Sequence, residues 1–302
     1  MRVFVTGSRG FLGRHLVPFL QSQAIEVDNP SRKELDLMDF DALQSYSQKK
    51  YDRIYHLAAW TQAGDFCLRY PGDQWVNNQI LNTNVLKWWS ELQPQARLIF
   101  MGTSCSYSPE LPLVESNYMK GQPIDSLYTY AMTKRMLLVG AQSLSKQYDL
   151  TYNCFIPSTL YGGNYHSDGR QMHFIFDLIR KIVSASKTGS KAVLWGDGNQ
   201  RRELVHVKDF VSIMEFLIPK LNNDLINIGA GIDYSIKEFA NTICELTKTT
   251  TKVVEYDKTK YVGAKSKCLN IDKLQYIYPQ LEYLPLRTGL NDSIAWYLTT
   301  QD

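Results

Sequence analysis

The chain has 302 residues, of which 44% are hydrophobic and 21% charged, enough for two globular domains. A net charge of +3 without a block of Lys or Arg argues against nucleic acid as a partner and suits a small anionic ligand. No stretch is long and apolar enough to span a bilayer, and the N-terminus resembles a strand, not a signal peptide, so we expect no membrane partner. Five scattered cysteines without CxxC pairing predict reduced thiols in the cytoplasm, with no disulfide framework and no metal site.

Strand-like runs alternate with amphipathic helices through the first half of the chain. The predicted elements are strand Arg2–Thr6, helix Phe11–Gln23, a strand ending at Asp28, strand Ile54–Ala58, helix Trp75–Leu92, strand Arg97–Met101, helix Leu127–Tyr148 and strand Leu150–Ile156. This alternation predicts an α/β fold with a Rossmann-like, doubly wound parallel sheet. Trp88 and Trp89, within the predicted helix Trp75–Leu92, are candidates for either core or interface.

The second half predicts a smaller, mixed α/β substrate lobe. It contains a polar loop at Asn164–Gln171, an amphipathic helix at His173–Ser184, a strand at Leu225–Ile228 and a Lys/Thr-rich surface segment at Lys248–Lys260. We therefore assign residues 1–163 and 205–232 to a cofactor-binding domain, and residues 164–204 and 233–302 to the substrate-binding lobe.

A glycine-rich loop follows the first strand and opens the first helix. Gly7, Gly10 and Gly13 have the spacing G-x-x-G-x-x-G, and Phe11 and Leu12 begin the helix. Glycines allow a tight turn and a close approach to a pyrophosphate, which then sits at the helix N-terminus. The position between strand and helix favours a dinucleotide site over the alternative, a glycine-rich turn that binds nothing.

Basic residues near this loop bear on the choice of dinucleotide. NAD sites usually offer an acidic side chain to the ribose at the end of the second strand, whereas NADP sites offer arginine to the 2′-phosphate. Arg9 in the loop, with Arg32 and Lys33 after the second strand, predicts NADP(H). Asp28 could instead serve NAD, and Arg32 and Lys33 could be surface charges, so these interpretations stay open.

Tyr130 and Lys134 lie four residues apart in a predicted helix, which puts a phenol and an ammonium on the same face. A tyrosine with a pKa near 10 is a poor proton shuttle at neutral pH. We expect the ammonium to favour the phenolate and lower that pKa, making Tyr130 a usable acid and base.

Together, Gly7–Gly13, His56–Ala59, Asn84 and the Tyr130/Lys134 pair resemble the extended short-chain dehydrogenase/reductases. The resemblance is closer still to the GDP-L-fucose synthase family and covers residues 1 to about 210 well. The supporting segments are Ser31–Asp39, Met101–Tyr107, Pro157–Gly162, Trp195–Gly198 and Arg202–Asp209.

The resemblance implies a catalytic set. Thr103 would hold the C4 oxygen of a substrate, Tyr130 would transfer the proton, and Lys134 would also hold the nicotinamide ribose. Cys105 matches the family's base and His173 its acid, which together would invert C3 and C5 next to a C4 ketone. The alternatives are a turn-capping hydroxyl for Thr103, a small buried hydrophobe for Cys105 and a helix cap for His173.

The resemblance also implies the binding residues and partners. Leu57, Ala58, Ala59 and Pro157 would line the NADP(H) site. Arg202 would hold the diphosphate of a nucleotide sugar, with GDP as the nucleotide, and Lys181 and Trp195 would add to that site. Arg202 could instead be an exposed surface charge. A homodimer formed through the helices Trp75–Leu92 and Leu127–Tyr148 is expected by analogy.

Departures from the family cluster around the sugar. They are Thr159 in place of the family's Asn, Ser106 and Ser108 after the cysteine, the loop Trp60–Gly64, and the loop Asn164–Gln171. The leading hypothesis is an NADPH-dependent C4-ketoreductase, with or without 3,5-epimerase activity, acting on a GDP-linked 4-keto sugar. The alternatives are a reductase or 4-epimerase without C3/C5 chemistry, and a non-catalytic NADP-binding sensor.

Overall fold

A computed structural model describes residues 1–260 and 264–300. The first half of the chain alternates strands and helices. They are β1 (Arg2–Thr6), α1 (Phe11–Ser22), β2 (Glu26–Asp28), α2 (Phe40–Gln44), β3 (Arg53–His56), α3 (Phe66–Arg69), α4 (Pro71–Leu92), β4 (Arg97–Met101), α5 (Tyr128–Tyr148) and β5 (Tyr152–Pro157). No helix in these two ranges has the length and apolar character needed to cross a membrane.

The second half has shorter strands. Its elements are β6 (Thr159–Tyr161), α6 (Phe174–Thr188), β7 (Ala192–Trp195), β8 (Arg201–His206), α7 (Val207–Leu217), β9 (Asp224–Ile228), β10 (Asp233–Ser235), α8 (Ile236–Leu246), β11 (Val254–Asp257), β12 (Ser266–Lys267), α9 (Asp272–Ile277) and α10 (Leu286–Thr299).

The chain divides into two compact units. Unit 1 comprises Met1–Pro157 and Phe210–Ile228, and unit 2 comprises Ser158–Asp209 and Gly229–Asp302. Which unit binds cofactor and which binds substrate stays a prediction.

Unit 1 is built on a parallel sheet with the strand order β2-β1-β3-β4-β5-β9. Chain order reverses between β1 and β3, the kind of switch point at which open α/β sheets bind ligands. In register, Thr6 pairs with His56 and His56 with Phe100, so the carboxyl ends of β1, β3 and β4 lie side by side. The predicted doubly wound parallel sheet is confirmed.

The predicted strand Ile54–Ala58 runs two residues beyond the end of β3. Here the Thr6 side chain, and not a neighbouring strand, accepts the hydrogen bond from the Ala58 amide, at 3.2 Å. The ladder therefore stops at His56, and the chain turns against the glycine loop.

The core of unit 1 includes both tryptophans whose role the sequence left open. Trp88 and Trp89 are fully buried. The Trp88 ring lies 4.9 Å from that of Phe4, and the two indole N–H groups donate to Ser47 Oγ and the Ala96 carbonyl, each at 2.8 Å. Both residues therefore belong to the core.

Unit 2 contains small sheets. β8 pairs with β6, β10 and β12, and β7 pairs with β11. The Lys/Thr-rich segment Lys248–Lys260 is at the surface as predicted, with none of its residues buried. It also contains β11, which the sequence did not predict because its residues are mixed in polarity and only partly covered.

Candidate active site

The glycine loop has the geometry of a phosphate cradle. Gly7 has a φ of +69°, and a Cβ there would lie 2.6 Å from the Ala58 nitrogen, so β1 and the segment after β3 touch backbone to backbone. A Cβ on Gly13 would lie 2.5 Å from the Gly7 carbonyl oxygen. Gly10 donates to that carbonyl at 2.9 Å and forms the N-cap of α1, so the positive end of the helix opens directly onto the loop. These residues fit a dinucleotide pyrophosphate.

The cofactor-binding residues predicted around this loop lie at the surface or are partly buried. Arg9 and Arg32 are exposed. The remaining predicted residues, all partly buried, are Phe11, Leu12, Leu57, Ala58, Ala59 and Pro157.

Asp28, the alternative partner for an NAD ribose, is occupied by other side chains. Lys49 Nζ lies 2.9 Å from both of its carboxylate oxygens, and Tyr51 Oη donates to it at 2.8 Å. This arrangement weakens the case for Asp28 as a ribose ligand and leaves Arg9 and Arg32 as the groups facing solvent near the loop.

Tyr130 and Lys134 lie one turn apart in α5, as predicted. Lys134 is 5% exposed, and burial lowers its pKa to about 8. The predicted effect on Tyr130 is wrong. Burial, followed by the neighbouring Cys105 and Cys67, raises the pKa of the phenol above its ordinary value, although a hydrogen bond with Thr103 opposes the shift. The phenol therefore remains protonated at neutral pH, because desolvation is the largest influence on its pKa.

Thr103 and Cys105 follow β4 in a short 3₁₀ turn. Thr103 is buried, and its hydroxyl accepts a hydrogen bond from the Cys105 amide at 3.2 Å. The same side chain interacts with Tyr130, so it caps the turn and also contacts the phenol. Cys105 is partly buried and close to Tyr130. The structure thus brings four of the five predicted catalytic residues together in unit 1.

Arg135, which the sequence did not single out, holds the segment after Cys105. It is 4% exposed, and its guanidinium donates to the carbonyls of Ser106 at 2.5 Å, Gly121 at 2.8 Å and Lys120 at 2.9 Å. One turn of α5 thereby carries both Lys134 and the group that fixes the loop containing Cys105. Helix periodicity alone does not show that Arg135, the residue after Lys134, is buried and bonded to the loop that contains Cys105.

Two of the residues that carry the family resemblance, His56 and Asn84, hold neighbouring segments of unit 1 together. His56 is fully buried, with its ring nitrogens 2.9 Å from Thr6 Oγ1 and Asn82 Oδ1, and burial lowers its pKa to about 4. It therefore ties the ends of β1 and β3 to α4. Asn84 donates to the Leu37 carbonyl at 2.9 Å and anchors the segment after β2.

His173 lies in unit 2, at the N-cap of α6. The alternative that its side chain caps the helix is wrong, since no cap bond forms. The residue as a whole is exposed, yet desolvation of the ring, followed by the charges of Lys267 and His166, lowers its pKa to about 4. Its backbone N–H donates to Tyr165 Oη at 3.4 Å, and the Tyr165 ring stacks 3.8 Å from Phe176, so the loop before α6 positions this histidine.

The predicted substrate residues of unit 2 lie on three different elements, α6, β7 and β8. Lys181 forms an ion pair with Asp177 at 3.0 Å, and Trp195 is 57% exposed at the end of β7. Arg202 donates to the Ala264 carbonyl at 2.9 Å. Lys267 of β12 pairs in register with Arg202 and was not predicted; it adds a second cation beside it.

A glycine cradle follows β1 at the switch point, Thr103 follows β4, and Tyr130 and Lys134 lie on α5. This combination defines a dinucleotide-dependent enzyme of the Tyr-x-x-x-Lys type. In the part of the chain that is described, no group of three or more His, Cys, Asp or Glu side chains is placed to hold a metal ion.

The chain belongs to the NAD dependent epimerase/dehydratase family, whose model matches residues 3–229. The predicted relationship to extended short-chain dehydrogenase/reductases is thereby confirmed. The chain is 28% identical to the GDP-L-fucose synthase of Escherichia coli (strain K12) over 319 residues, covering 100% of this chain and 98% of that protein.

Two solved structures share the fold. One is a GDP-L-fucose synthetase from Naegleria fowleri bound to NADP, with a TM-score of 0.88 and 22% identity over 99% of this chain and 93% of that one. The other is a GDP-6-OMe-4-keto-L-xylo-heptose reductase from C. jejuni, with a TM-score of 0.88 and 20% identity over 100% and 98% of the two chains.

Proposed function

We propose that this protein uses NADPH to reduce the C4 carbonyl of a GDP-linked 4-keto sugar, after inverting the configuration at C3 and C5. The reductase is supported by the contact of Thr103 with Tyr130, by Lys134 one turn away on α5, and by the glycine cradle that follows β1 in the same sheet. The name of the E. coli relative, and the NADP in the N. fowleri structure, support the substrate class and the cofactor.

The residues have distinct tasks in the reduction. Bound NADPH supplies the hydride for C4. Thr103 holds the carbonyl oxygen through its hydroxyl, and Tyr130 gives that oxygen a proton. The raised pKa of Tyr130 suits this direction, because the phenol enters the step protonated. Lys134, buried one turn away, stabilises the phenolate that remains.

The inversion uses the ketone as an activating group, since a C4 carbonyl acidifies the hydrogens on C3 and C5. We assign proton removal to Cys105 and proton return to His173. The alternative function, reduction without inversion, draws support from the lowered pKa of His173, because a neutral imidazole is a weaker proton donor than an imidazolium.

The nucleotide end of the substrate is assigned to unit 2. Arg202 and Lys267 are register partners in β8 and β12, and two adjacent cations suit a diphosphate. Lys181 is assigned to the same site, although its ion pair with Asp177 partly neutralises its charge. The indole of Trp195 is 57% exposed and suits stacking against a planar base.

The test is incubation with NADPH and GDP-4-keto-6-deoxymannose in heavy water. NADPH oxidation with deuterium at C3 and C5 is expected, and Tyr130→Phe should lower kcat at least a hundredfold while binding NADPH normally. Cys105→Ser should lose deuterium uptake yet reduce a ketone already inverted. NADPH oxidation without deuterium at C3 or C5 would support the reductase activity and refute the epimerase activity. NADPH binding without turnover on this and other 4-keto nucleotide sugars would indicate a sensor and refute the enzyme.

A homodimer through α4 and α5 is part of the proposal. The two helices pack together, and large apolar side chains on them are exposed: Trp75, Val76 and Ile80 on α4, and Val139 on α5. Such a surface is typical of a buried interface between subunits. Ile80→Lys should therefore yield monomers in sedimentation experiments, whereas an unchanged dimer would place the interface elsewhere. The cysteine pattern supports the cytoplasm as the working compartment.

A further inference from the structure

An acidic residue, Asp28, ends β2 beside the glycine loop. β2 pairs with β1, with Asp28 opposite Phe4, and β1 leads directly into the loop. Ser8 of the loop donates to the Asn29 carbonyl at 3.1 Å, so the residue after Asp28 is bonded to the loop itself. A dinucleotide whose pyrophosphate sits at the N-terminus of α1 therefore brings its adenosine ribose to the end of β2.

The same strand end also carries basic residues. Glu34 accepts from the Ser31 amide at 2.7 Å, and its hydrogen bonds with Ser31, followed by the charge of Arg9, lower its pKa. Arg9 therefore lies close to the turn after β2, which also carries Arg32. An acid at this place serves the ribose of NAD(H) and repels a 2′-phosphate, whereas arginines attract that phosphate. The two kinds of residue thus make opposite demands on the cofactor.

Lys49 and Tyr51 cover the Asp28 carboxylate. Lys49 Nζ lies 2.9 Å from both carboxylate oxygens, and Tyr51 Oη donates to Oδ2 at 2.8 Å. Tyr51 is 1% exposed, with its ring 5.2 Å from that of Phe4 and 5.9 Å from that of Trp88. Burial, followed by the hydrogen bond with Asp28, raises the pKa of Tyr51, so the phenol keeps the proton that it donates.

A buried amide fixes the segment that carries these two residues. Gln93 is fully buried; its Nε2 donates to the Lys49 carbonyl at 2.8 Å, and its Oε1 accepts from the Tyr51 amide at 3.3 Å. Alternate residues of an extended segment point to the same side, so Lys49 and Tyr51 both face the carboxylate. Lys50, between them, points away and donates to the last carbonyl of α4 at 3.3 Å.

We propose that Lys49 is a specificity-determining residue for the dinucleotide: it neutralises and occupies Asp28, so that the end of β2 accepts the 2′-phosphate of NADP(H). This inference rests on the cofactor assigned in the proposed function. Without Lys49, the carboxylate gains a free acceptor for the 2′-hydroxyl of NAD(H). It also turns an uncompensated negative charge toward the 2′-phosphate that Arg9 and Arg32 attract.

The experiment measures the dissociation constants of NADP⁺ and NAD⁺ by calorimetry on the full chain, with no sugar present. The wild type should prefer NADP⁺. Because the Lys49 side chain is 49% exposed, its effect on each ligand should be moderate. Lys49→Ala should weaken NADP⁺ binding and strengthen NAD⁺ binding by roughly three- to fivefold each, so the preference falls about tenfold. Lys49→Arg retains the charge and should keep most of the preference.

Two further variants separate neutralisation of Asp28 from other effects. The double variant Lys49→Ala/Asp28→Asn has no acid left to expose, so it should recover the NADP⁺ preference of Asp28→Asn alone to within about twofold. Lys50→Ala is the matched control. It removes the same charge from the next residue, which faces away from Asp28, and it should leave both dissociation constants unchanged.

The outcomes distinguish this inference from the proposed function. An unchanged preference in Lys49→Ala, an equal loss in Lys50→Ala, or a loss that persists in the double variant would overturn the role of Lys49. A wild type that binds NADP⁺ in preference to NAD⁺ upholds the cofactor assignment in each of these cases. A wild type that binds neither dinucleotide, or that prefers NAD⁺, would refute the cofactor assignment itself and the inference with it.

Discussion

Replacing Lys134 by Met should stabilise the protein while removing its activity. Lys134 is 5% exposed, and its pKa falls from an ordinary 10.5 to about 8. That difference of about 2.5 pH units, at about 1.4 kcal/mol per unit, is a cost of roughly 3 kcal/mol for keeping the ammonium buried at pH 7. Methionine has a similar length and no charge, so the free energy of unfolding at pH 7 should increase by up to about 3 kcal/mol.

The stability difference between the two proteins should depend on pH, and the direction follows from the lowered pKa of Lys134. Because the folded pKa lies below the unfolded one, the unfolded wild type binds more protons between about pH 8 and 10.5, and its stability rises with pH across this window. The advantage of Lys134→Met should therefore shrink by about 2 kcal/mol between pH 7 and 9.5. Other titrating groups are shared by both proteins and cancel in the difference.

The assay is urea unfolding of both proteins at pH 7 and pH 9.5, with NADPH oxidation measured alongside. Lys146→Met on the same helix is the control, because Lys146 is exposed and should change neither quantity by more than about 0.5 kcal/mol. A stability difference that is the same at both pH values would refute a buried ammonium with a depressed pKa. Retained turnover in Lys134→Met would refute its role beside Tyr130.

Three further substitutions test the glycine loop, the basic residue after β2 and the segment after Cys105. Gly13→Ala should weaken NADPH binding at least tenfold, since its Cβ would lie 2.5 Å from the Gly7 carbonyl oxygen. The control Gly72→Ala, whose Cβ would have nothing within 4 Å, should bind NADPH normally. Equal NADPH affinities of the two variants would contradict the role of the glycine loop in binding the cofactor. Arg32→Ala should reduce the preference for NADPH over NADH, measured as the ratio of their kcat/KM values, about tenfold. An unchanged ratio would show that another group recognises the 2′-phosphate. Arg135→Met should lower the free energy of unfolding, measured in urea, by about 2 to 4 kcal/mol, because three carbonyls lose a charged donor. It should also lower kcat. An unaltered kcat would show that Arg135 contributes to stability alone.

The sequence by itself determined those features that depend on neighbours along the chain. Strand and helix alternation predicted the parallel sheet, and the spacing of Gly7, Gly10 and Gly13 predicted the cradle. Helical periodicity placed Tyr130 and Lys134 on one face. Each of these follows from local geometry, with periods of about two residues in a strand and 3.6 in a helix, which a single sequence displays directly.

Only the tertiary structure decided the properties that depend on burial. The sequence predicted a lowered pKa for Tyr130, whereas burial raises it, because desolvation disfavours the charged phenolate. Tertiary packing likewise assigned Trp88 and Trp89 to the core, made Arg135 the support of the segment after Cys105, and placed Cys67 near Tyr130. These outcomes depend on contacts between segments tens of residues apart, and no local pattern encodes how much water such contacts exclude.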